Sequence, residues 1–313
     1  MRTRTTRIRR TTAGLASVAL LGALTSCAAV GSPARAAAPA EGVSHRTDTP
    51  TGGHIPLTGA VNVRDLGGQP TVDGERVRAG RVFRADSLGK LTDADVGRIG
   101  ELGLRTVVDY RVPFEVQRDG ADRLPQGLAV TSRPVNDLGL YAKTMEAIGS
   151  KDPVEQQEML GDGKAEELMR SIYRTFVTDP DNRRQFGATL RDLADRQRTP
   201  LLVHCTSGKD RTGWTSYLLL RAVGVSSGTA EKDYLLSNEL RAESDRKTRE
   251  ALKQAGYMEN PDLLIPLQEV REDYLESALD AAEEEYGSLA GYVTEGLGLD
   301  RTTLVKLRAK LVD

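Results

Sequence analysis

The chain has 313 residues, of which 39% are hydrophobic and 28% charged. That composition supports a packed core and excludes wholesale disorder. The net charge is −2, and the first 26 residues hold five arginines and no acid, so the remainder carries −7. So acidic a body excludes nonspecific nucleic-acid binding.

In chain order, residues 1–26 read as a lipoprotein signal peptide. Arg2, Arg4, Arg7, Arg9 and Arg10 form a basic start, and Ala13 to Leu24 form an apolar run. That run is shorter than the roughly 20 residues needed to cross a bilayer core. Its exit, Leu24-Thr25-Ser26-Cys27, resembles the bacterial lipobox, in which the cysteine is lipidated. The Arg9-Arg10 pair, with Thr12 behind it, leaves Sec and Tat export both open. Residues 27–55, rich in Ala, Pro, Gly, Ser and Thr, read as a flexible tether. The expectation is an exported protein, bound by lipid at Cys27 to the extracytoplasmic face of a membrane, or secreted.

Residues 56–313 read as one catalytic domain. The segment 61–79 is expected to form a hairpin. Apolar runs predict strands at 81–84, 105–110, 128–133 and 200–204. A helix opens after Leu91, with Thr92 as N-cap and Asp95 at N3. Residues 140–196 form a charged, mostly helical insertion. A helix over 212–223 is closed by Gly224. Further helices are expected at 229–237, 240–255, 267–286 and 301–312. Strands alternating with helices predict an α/β fold, a mainly parallel sheet flanked by helices.

The chain has two cysteines, Cys27 and Cys205. With Cys27 lipidated, Cys205 is a lone thiol in an exported protein, which points to chemistry at that sulfur. Cys205 ends a strand and opens the loop to Arg211, where a helix begins. Successive N–H groups and the helix start suit an anion there. Such surroundings favour a thiolate. Arg211 presents a planar fork to two phosphoryl oxygens. Thr212 is placed to donate to the sulfur, and Gly208 and Gly213 permit close backbone approach. Thr206, Ser207, Gly208, Lys209, Arg211, Thr212 and Gly213 thus make up the expected phosphate cradle.

Cys-x5-Arg followed by Thr is the signature of the protein tyrosine phosphatase superfamily. The fuller form, His204-Cys-Thr-Ser-Gly-Lys-Asp-Arg-Thr-Gly213, resembles its bacterial branch of tyrosine and lipid phosphatases. Asn62-Val-Arg-Asp-Leu-Gly-Gly68, Arg81-Val-Phe-Arg-Ala-Asp-Ser87 and Val107-Val-Asp-Tyr-Arg111 with Glu115 resemble further segments of that branch. So do Asp233-Tyr-Leu-Leu-Ser-Asn238 and Glu285-Tyr-Gly-Ser-Leu289, and the resemblance covers about residues 55–313. Ala85-Asp86 and Tyr110 are small departures.

The resemblance implies a cysteine-dependent phosphatase with Cys205 as nucleophile, a cysteinyl-phosphate intermediate, and no cofactor. His45, His54 and His204 show no metal-ligand spacing. No Trp-Pro-Asp segment supplies the general acid. Asp210 is the first choice, with Asp137 in Pro134-Val-Asn-Asp-Leu138 as the alternative. His204 is expected to orient the loop. Arg64, Asp65, Asp109 and Arg111 are expected as an ion-pair scaffold behind it. Lys209 beside the phosphate suits doubly anionic substrates. The partner is then a phosphorylated protein or a phosphoinositide, and residues 140–196 form a helical lid. Two other readings stay open, a secreted inositol-polyphosphate phosphatase and a noncatalytic phosphate-binding lipoprotein.

Overall fold

The computed structural model describes residues 53–313. The leader, Cys27 and the tether as far as residue 52 lie outside the described residues.

Five strands form one sheet in the order β1-β2-β5-β3-β4. They are β1 (Arg64–Asp65), β2 (Val82–Ala85), β3 (Thr106–Asp109), β4 (Val130–Ser132) and β5 (Leu201–His204). β2, β5, β3 and β4 run parallel, and β1 is antiparallel at one edge. β2, β3 and β5 are buried along their whole length, which is why they read as continuous apolar runs. Successive side chains alternate between two clusters. Phe83, Val107 and Leu202 pack with Ile99 of α1 (Asp93–Glu101). Val82, Val108, Leu201 and Val203 pack beneath the larger helical layer. Both clusters and the sheet between them are formed by residues 53–313.

The register aligns the strand ends. Ala85 and Asp109 each pair with His204, and Asp109 pairs with Ser132. In such sheets ligands bind beyond the carboxyl ends of the strands. The chain leaves β3 into α2 (Pro113–Asp119) and leaves β4 into α3 (Leu140–Ser150). It leaves β5 through a loop into α7 (Arg211–Ala222).

The α1 start is as expected: Thr92 accepts from the Asp95 N–H, and Asp95 accepts from the Thr92 N–H. The hairpin expected around 61–79 forms over residues 68–77: Pro70 bridges Arg76, the Thr71 N–H donates to the Glu75 carbonyl (2.9 Å), and the Val77 N–H donates to that of Gln69 (2.9 Å). Thr71 and Val77 bridge further to Val225 and Val312. Two expectations need correction.

The segment 140–196 forms α3, α4 (Pro153–Leu160), α5 (Lys164–Thr178) and α6 (Pro180–Ala194). Only part of it lies over the cavity. On α5, Ala165, Met169, Ile172, Tyr173 and Phe176 are buried at helical spacing and belong to the core.

The expected pair 229–237 and 240–255 is one helix, α8 (Ser227–Gln254). The polar residues that look like a break are engaged elsewhere. The Asn238 side chain exchanges two hydrogen bonds with the Val270 backbone, at 2.7 and 2.8 Å. After α8 come α9 (Ile265–Gln268), α10 (Glu272–Tyr286), α11 (Leu289–Gly291) and α12 (Arg301–Leu311). Among the described residues, no helix is long and apolar enough to cross a membrane.

Candidate active site

The loop from Cys205 to Arg211 sits at the carboxyl end of β5. Its carbonyls are held from outside. Thr206 C=O accepts from the Ser87 N–H (3.0 Å). Ser207 C=O accepts from Asn62 Nδ2 (3.1 Å) and Arg241 Nη1 (3.2 Å). Gly208 C=O accepts from Arg84 Nη2 (2.7 Å). Among the described residues, none of the N–H groups of Thr206 to Asp210 donates to an acceptor. With the carbonyls fixed outward, those N–H groups form an anion-binding concavity. Gly208 makes the turn at φ +66°, and a Cβ there would lie 2.4 Å from the Ala85 carbonyl oxygen.

Cys205 is 1% exposed, so its sulfur is reached only through the hollow it floors. That cavity has a volume of about 260 Å³. Glu115, Asp137, Cys205, Lys209, Asp210 and Arg211 line its polar side, and Leu140, Tyr141, Met145 and Ile148 of α3 its apolar wall. Leu264 and Leu267 face them, and Arg241 and Asp245 of α8 complete the rim.

Arg211 is fixed by Glu115 through two parallel bonds, Nη1 to Oε2 (2.7 Å) and Nη2 to Oε1 (2.6 Å). Nη1 also donates to the Tyr110 carbonyl (3.2 Å). Three of five guanidinium hydrogens are thereby committed, which leaves Nε–H and one Nη2–H side by side. Glu115 is itself fixed, accepting from the Val112 N–H (2.7 Å) and from the Thr206 hydroxyl. Burial works against its charge. The Arg211 ion pair and these bonds outweigh burial and hold the carboxyl below its ordinary range.

The two candidate acids have different surroundings. Asp210 Oδ1 accepts from Lys209 Nζ (2.8 Å) and from the Tyr173 hydroxyl (3.0 Å). Lys209 also donates to the Glu269 carbonyl (3.1 Å), so most of its hydrogen-bonding capacity is turned inward. Asp137 stands 3.9 Å from Arg211 Nη2, beyond hydrogen-bond reach. Burial pushes its carboxyl up, and the Arg211 charge offsets this only in part.

Behind the loop, His204 Nε2 meets Asp122 Oδ2 at 2.9 Å, and Asp109 lies 3.8 Å from Nδ1. Burial alone would lower the imidazole pKa, but the Asp122 bond and the two negative charges raise it above 6.5. Arg111 binds both Asp109 (2.9 Å) and Asp122 (2.7 Å). Asp109, Asp122 and His204 are close enough together to resemble a metal cluster, yet this guanidinium already occupies both carboxylates. The Thr212 hydroxyl is buried and, among the described residues, has no hydrogen-bond partner.

The expected Arg64 and Asp65 scaffold is different in detail. Arg64 Nε binds Asp233 (2.8 Å), and Arg84 Nη1 binds the same carboxylate (2.6 Å). Burial, and then Arg84, push the Arg64 guanidinium down to about 10. Asp65 forms no ion pair among the described residues. Its carboxylate instead accepts from the N–H groups of Gly67 and Gly80 and closes a turn.

Sequence reasoning assigned no role to Glu115, Asp122, Arg84, Asp233, Tyr173 or Arg241. Glu115, Arg84 and Asp233 lay within the quoted motifs, which was the available signal. Tyr173 and Arg241 arrive from separate helices, and nothing in their local sequence marks them.

Residues 55–313 match the model of the tyrosine phosphatase family. The triple specificity protein phosphatase PtpB of Mycobacterium tuberculosis is 30% identical over 277 residues, 82% of this chain and 98% of that one. A candidate tyrosine-protein phosphatase of Cupriavidus necator is 32% identical over 240 residues, 76% and 82% of the two chains. A tyrosine-protein phosphatase of Nostoc commune is 25% identical over 247 residues, 77% and 78% of the two. The family match takes in the whole loop and every side chain that braces it, and so the chain belongs to the tyrosine phosphatase family and is a phosphatase.

Proposed function

We propose that the chain is an exported phosphatase that hydrolyses phosphomonoesters, phosphotyrosine foremost, through a cysteinyl-phosphate on Cys205. The observation that carries this reading is the fixed fork of Arg211. Glu115 holds it so that two hydrogens remain for phosphoryl oxygens, over a loop of unpaired N–H groups with Cys205 at its base. The apolar wall from α3 suits an aryl leaving group. PtpB is named for triple specificity, which favours a broad substrate range; phosphoserine, phosphothreonine and phosphoinositides are proposed beside phosphotyrosine.

In the proposed reaction the Cys205 thiolate attacks phosphorus. The phosphorus–oxygen bond to the leaving group breaks, and the leaving oxygen takes a proton from Asp137. Water then attacks the cysteinyl-phosphate, Asp137 accepts its proton, and the sulfur departs with inorganic phosphate released. The Thr212 hydroxyl, buried and unpartnered, is available to the departing sulfur. Arg211 and the loop N–H groups hold the equatorial oxygens throughout.

Asp137 is favoured as acid because burial raises its pKa, and the Arg211 charge and nearby backbone N–H groups offset that rise only in part. Asp210 is held by Lys209 and Tyr173 and fits an anchoring role. Its second oxygen has no hydrogen-bond partner among the described residues, and Asp210 lines the same cavity, which supports the alternative assignment.

The test is phosphate release by residues 43–313, with chelator present. Nitrophenyl phosphate, phenyl phosphate, a phosphotyrosine peptide and phosphoinositides serve as substrates. Cys205→Ser should abolish turnover, and measurable turnover in that variant sinks the mechanism. Asp137→Asn should lose roughly 10²–10⁴-fold on phenyl phosphate and much less on the better nitrophenolate leaving group. That pattern in Asp210→Asn instead would reassign the acid. Export and lipidation at Cys27 are proposed from the leader and the lipobox-like exit. Membrane fractionation checks them, with Cys27→Ala expected in the soluble fraction.

A further inference from the structure

The pole opposite the cavity, where the parallel strands begin, has a different chemistry. The residues just before β2, β3 and β5 are Arg81, Arg105 and Pro200. They are neighbours: Leu201 N–H donates to the Arg81 carbonyl (3.0 Å), and Arg105 N–H donates to the Pro200 carbonyl (2.8 Å). Arg78, Arg81, Arg105, Arg196 and Lys310 line one hollow of about 380 Å³. A second, of about 690 Å³, adjoins it across Arg196 and Lys310 and adds Arg191 and Lys306.

Little negative charge answers them. Asp195 lines the larger hollow, and Asp313 pairs with Arg78 at 3.2 Å. Among the described residues, no carboxylate lies within ion-pair distance of Arg81, Arg105, Arg191, Arg196, Lys306 or Lys310. Capping explains some of these cations. Arg105 donates to the Arg196 carbonyl (3.1 Å), Arg191 to that of Leu297 (3.0 Å), and Lys310 to that of Asp195. It does not explain Arg81 or Arg196, whose side chains have no protein hydrogen bond among the described residues. The Lys310 ammonium is pushed below its ordinary range, by burial first and, against the opposing charge of Asp195, by Arg81, Arg196 and Arg105. Cations that converge on a concave surface while repelling one another focus a positive potential into it.

We propose that this pole is a second anion site, separate from the catalytic loop, which takes phosphate groups presented by an anionic lipid headgroup or by a soluble polyphosphate. A lipid surface docked here leaves the catalytic cavity facing away from it. Enzyme bound in this way acts on soluble phosphoesters, and enzyme free of this contact acts on phosphoinositides.

The test uses residues 43–313 and the charge-reversed variant Arg81→Glu/Arg105→Glu/Arg196→Glu. All three residues are exposed, so the fold should tolerate the changes. In the first arm, both proteins are sedimented with phosphatidylcholine vesicles, with or without about 30% phosphatidylglycerol. Wild type should bind the anionic vesicles, and the variant should lose about a hundredfold in partitioning. In the second arm, inositol hexakisphosphate is titrated in a Cys205→Ser background. Two equivalents bound, reduced to one by the triple reversal, identify a soluble polyphosphate site. Loss in the first arm alone assigns the site to lipid, loss in the second alone to the soluble ligand, and loss in both to either. Turnover of nitrophenyl phosphate by the charge-reversed enzyme should match wild type, which separates this result from failure of the catalytic reading. If the variant binds vesicles and polyphosphate as wild type does, or if wild type binds neither at this pole, the proposal is overturned.

Discussion

The two ends of the sheet handle positive charge in opposite ways. At the carboxyl ends, each cation beneath or within the loop meets a buried carboxylate: Arg211 with Glu115, Arg111 with Asp109 and Asp122, Arg64 and Arg84 with Asp233, Lys209 with Asp210. At the amino ends, Arg78 meets Asp313, and the other cations cap carbonyls or meet no carboxylate among the described residues. Buried ion pairs are a poor source of net stability, because desolvation cancels much of their attraction. Their value at the carboxyl ends is fixed direction. A fork that must meet two oxygens needs one orientation, whereas a surface that only attracts an anion does not.

The largest test of that contrast is Asp233→Asn. It leaves the Arg64 and Arg84 guanidinium groups, both 0% exposed, with no full counter-charge. Removing one partner of a buried pair typically costs about 3–5 kcal/mol. The urea midpoint should fall accordingly. Activity should fall too, because Arg84 braces the Gly208 carbonyl. A cost under ~1 kcal/mol would mean that water reaches these arginines.

Glu115→Gln comes next. It breaks the paired bonds to Arg211 and keeps the side-chain shape. We expect kcat to drop about a hundredfold, which is roughly 2.7 kcal/mol of barrier. Melting should change less than in Asp233→Asn, and Glu115→Asp should restore part of the loss. An unchanged kcat would show that the Arg211 fork is positioned without its carboxylate.

Much of this site was legible in the sequence, and the reasons are specific. The strands are short apolar runs because the sheet is buried on both faces, and the loop stands out because its glycines, Cys205 and Arg211 keep a fixed spacing. Register and long-range partners are a different matter. Ser237 and Asn238 read as a helix break because such residues compete for backbone bonds. In the fold, Ser237 Oγ accepts from Arg64 and Arg84 at 3.2 Å each, and Asn238 binds Val270. Their polarity is spent on tertiary contacts, and α8 continues through them. The charge density of 140–196 likewise masks the apolar stripe of α5, which marks a core helix rather than a cover.

A smaller effect concerns His204. Its folded pKa lies above 6.5 because Asp122 and Asp109 overcome burial. The resulting stability is fully present below the unfolded value and is lost as pH rises through the folded one. The excess of stability at about pH 6 over that at about pH 9 should therefore be larger in wild type than in His204→Gln. Equal pH dependence in the two proteins would mean that the imidazole titrates alike in the folded and unfolded chain, and a reversed sign would mean that it stays neutral in the fold.

The smallest expected effect lies at the other pole, and it is where the contrast is most easily broken. Arg81 is exposed, forms no ion pair among the described residues, and lies among cations that push the Lys310 ammonium down. Arg81→Ala removes no protein hydrogen bond and relieves some repulsion. Surface changes of this kind usually fall within about 0.5 kcal/mol of wild type, and here the sign should be neutral or stabilising. The gain should shrink at high salt, because screening already removes exposed repulsion. Urea denaturation at low and high ionic strength measures both. A loss above ~1 kcal/mol would mean that Arg81 braces the start of β2, which would make the basic pole a structural element like the carboxyl end.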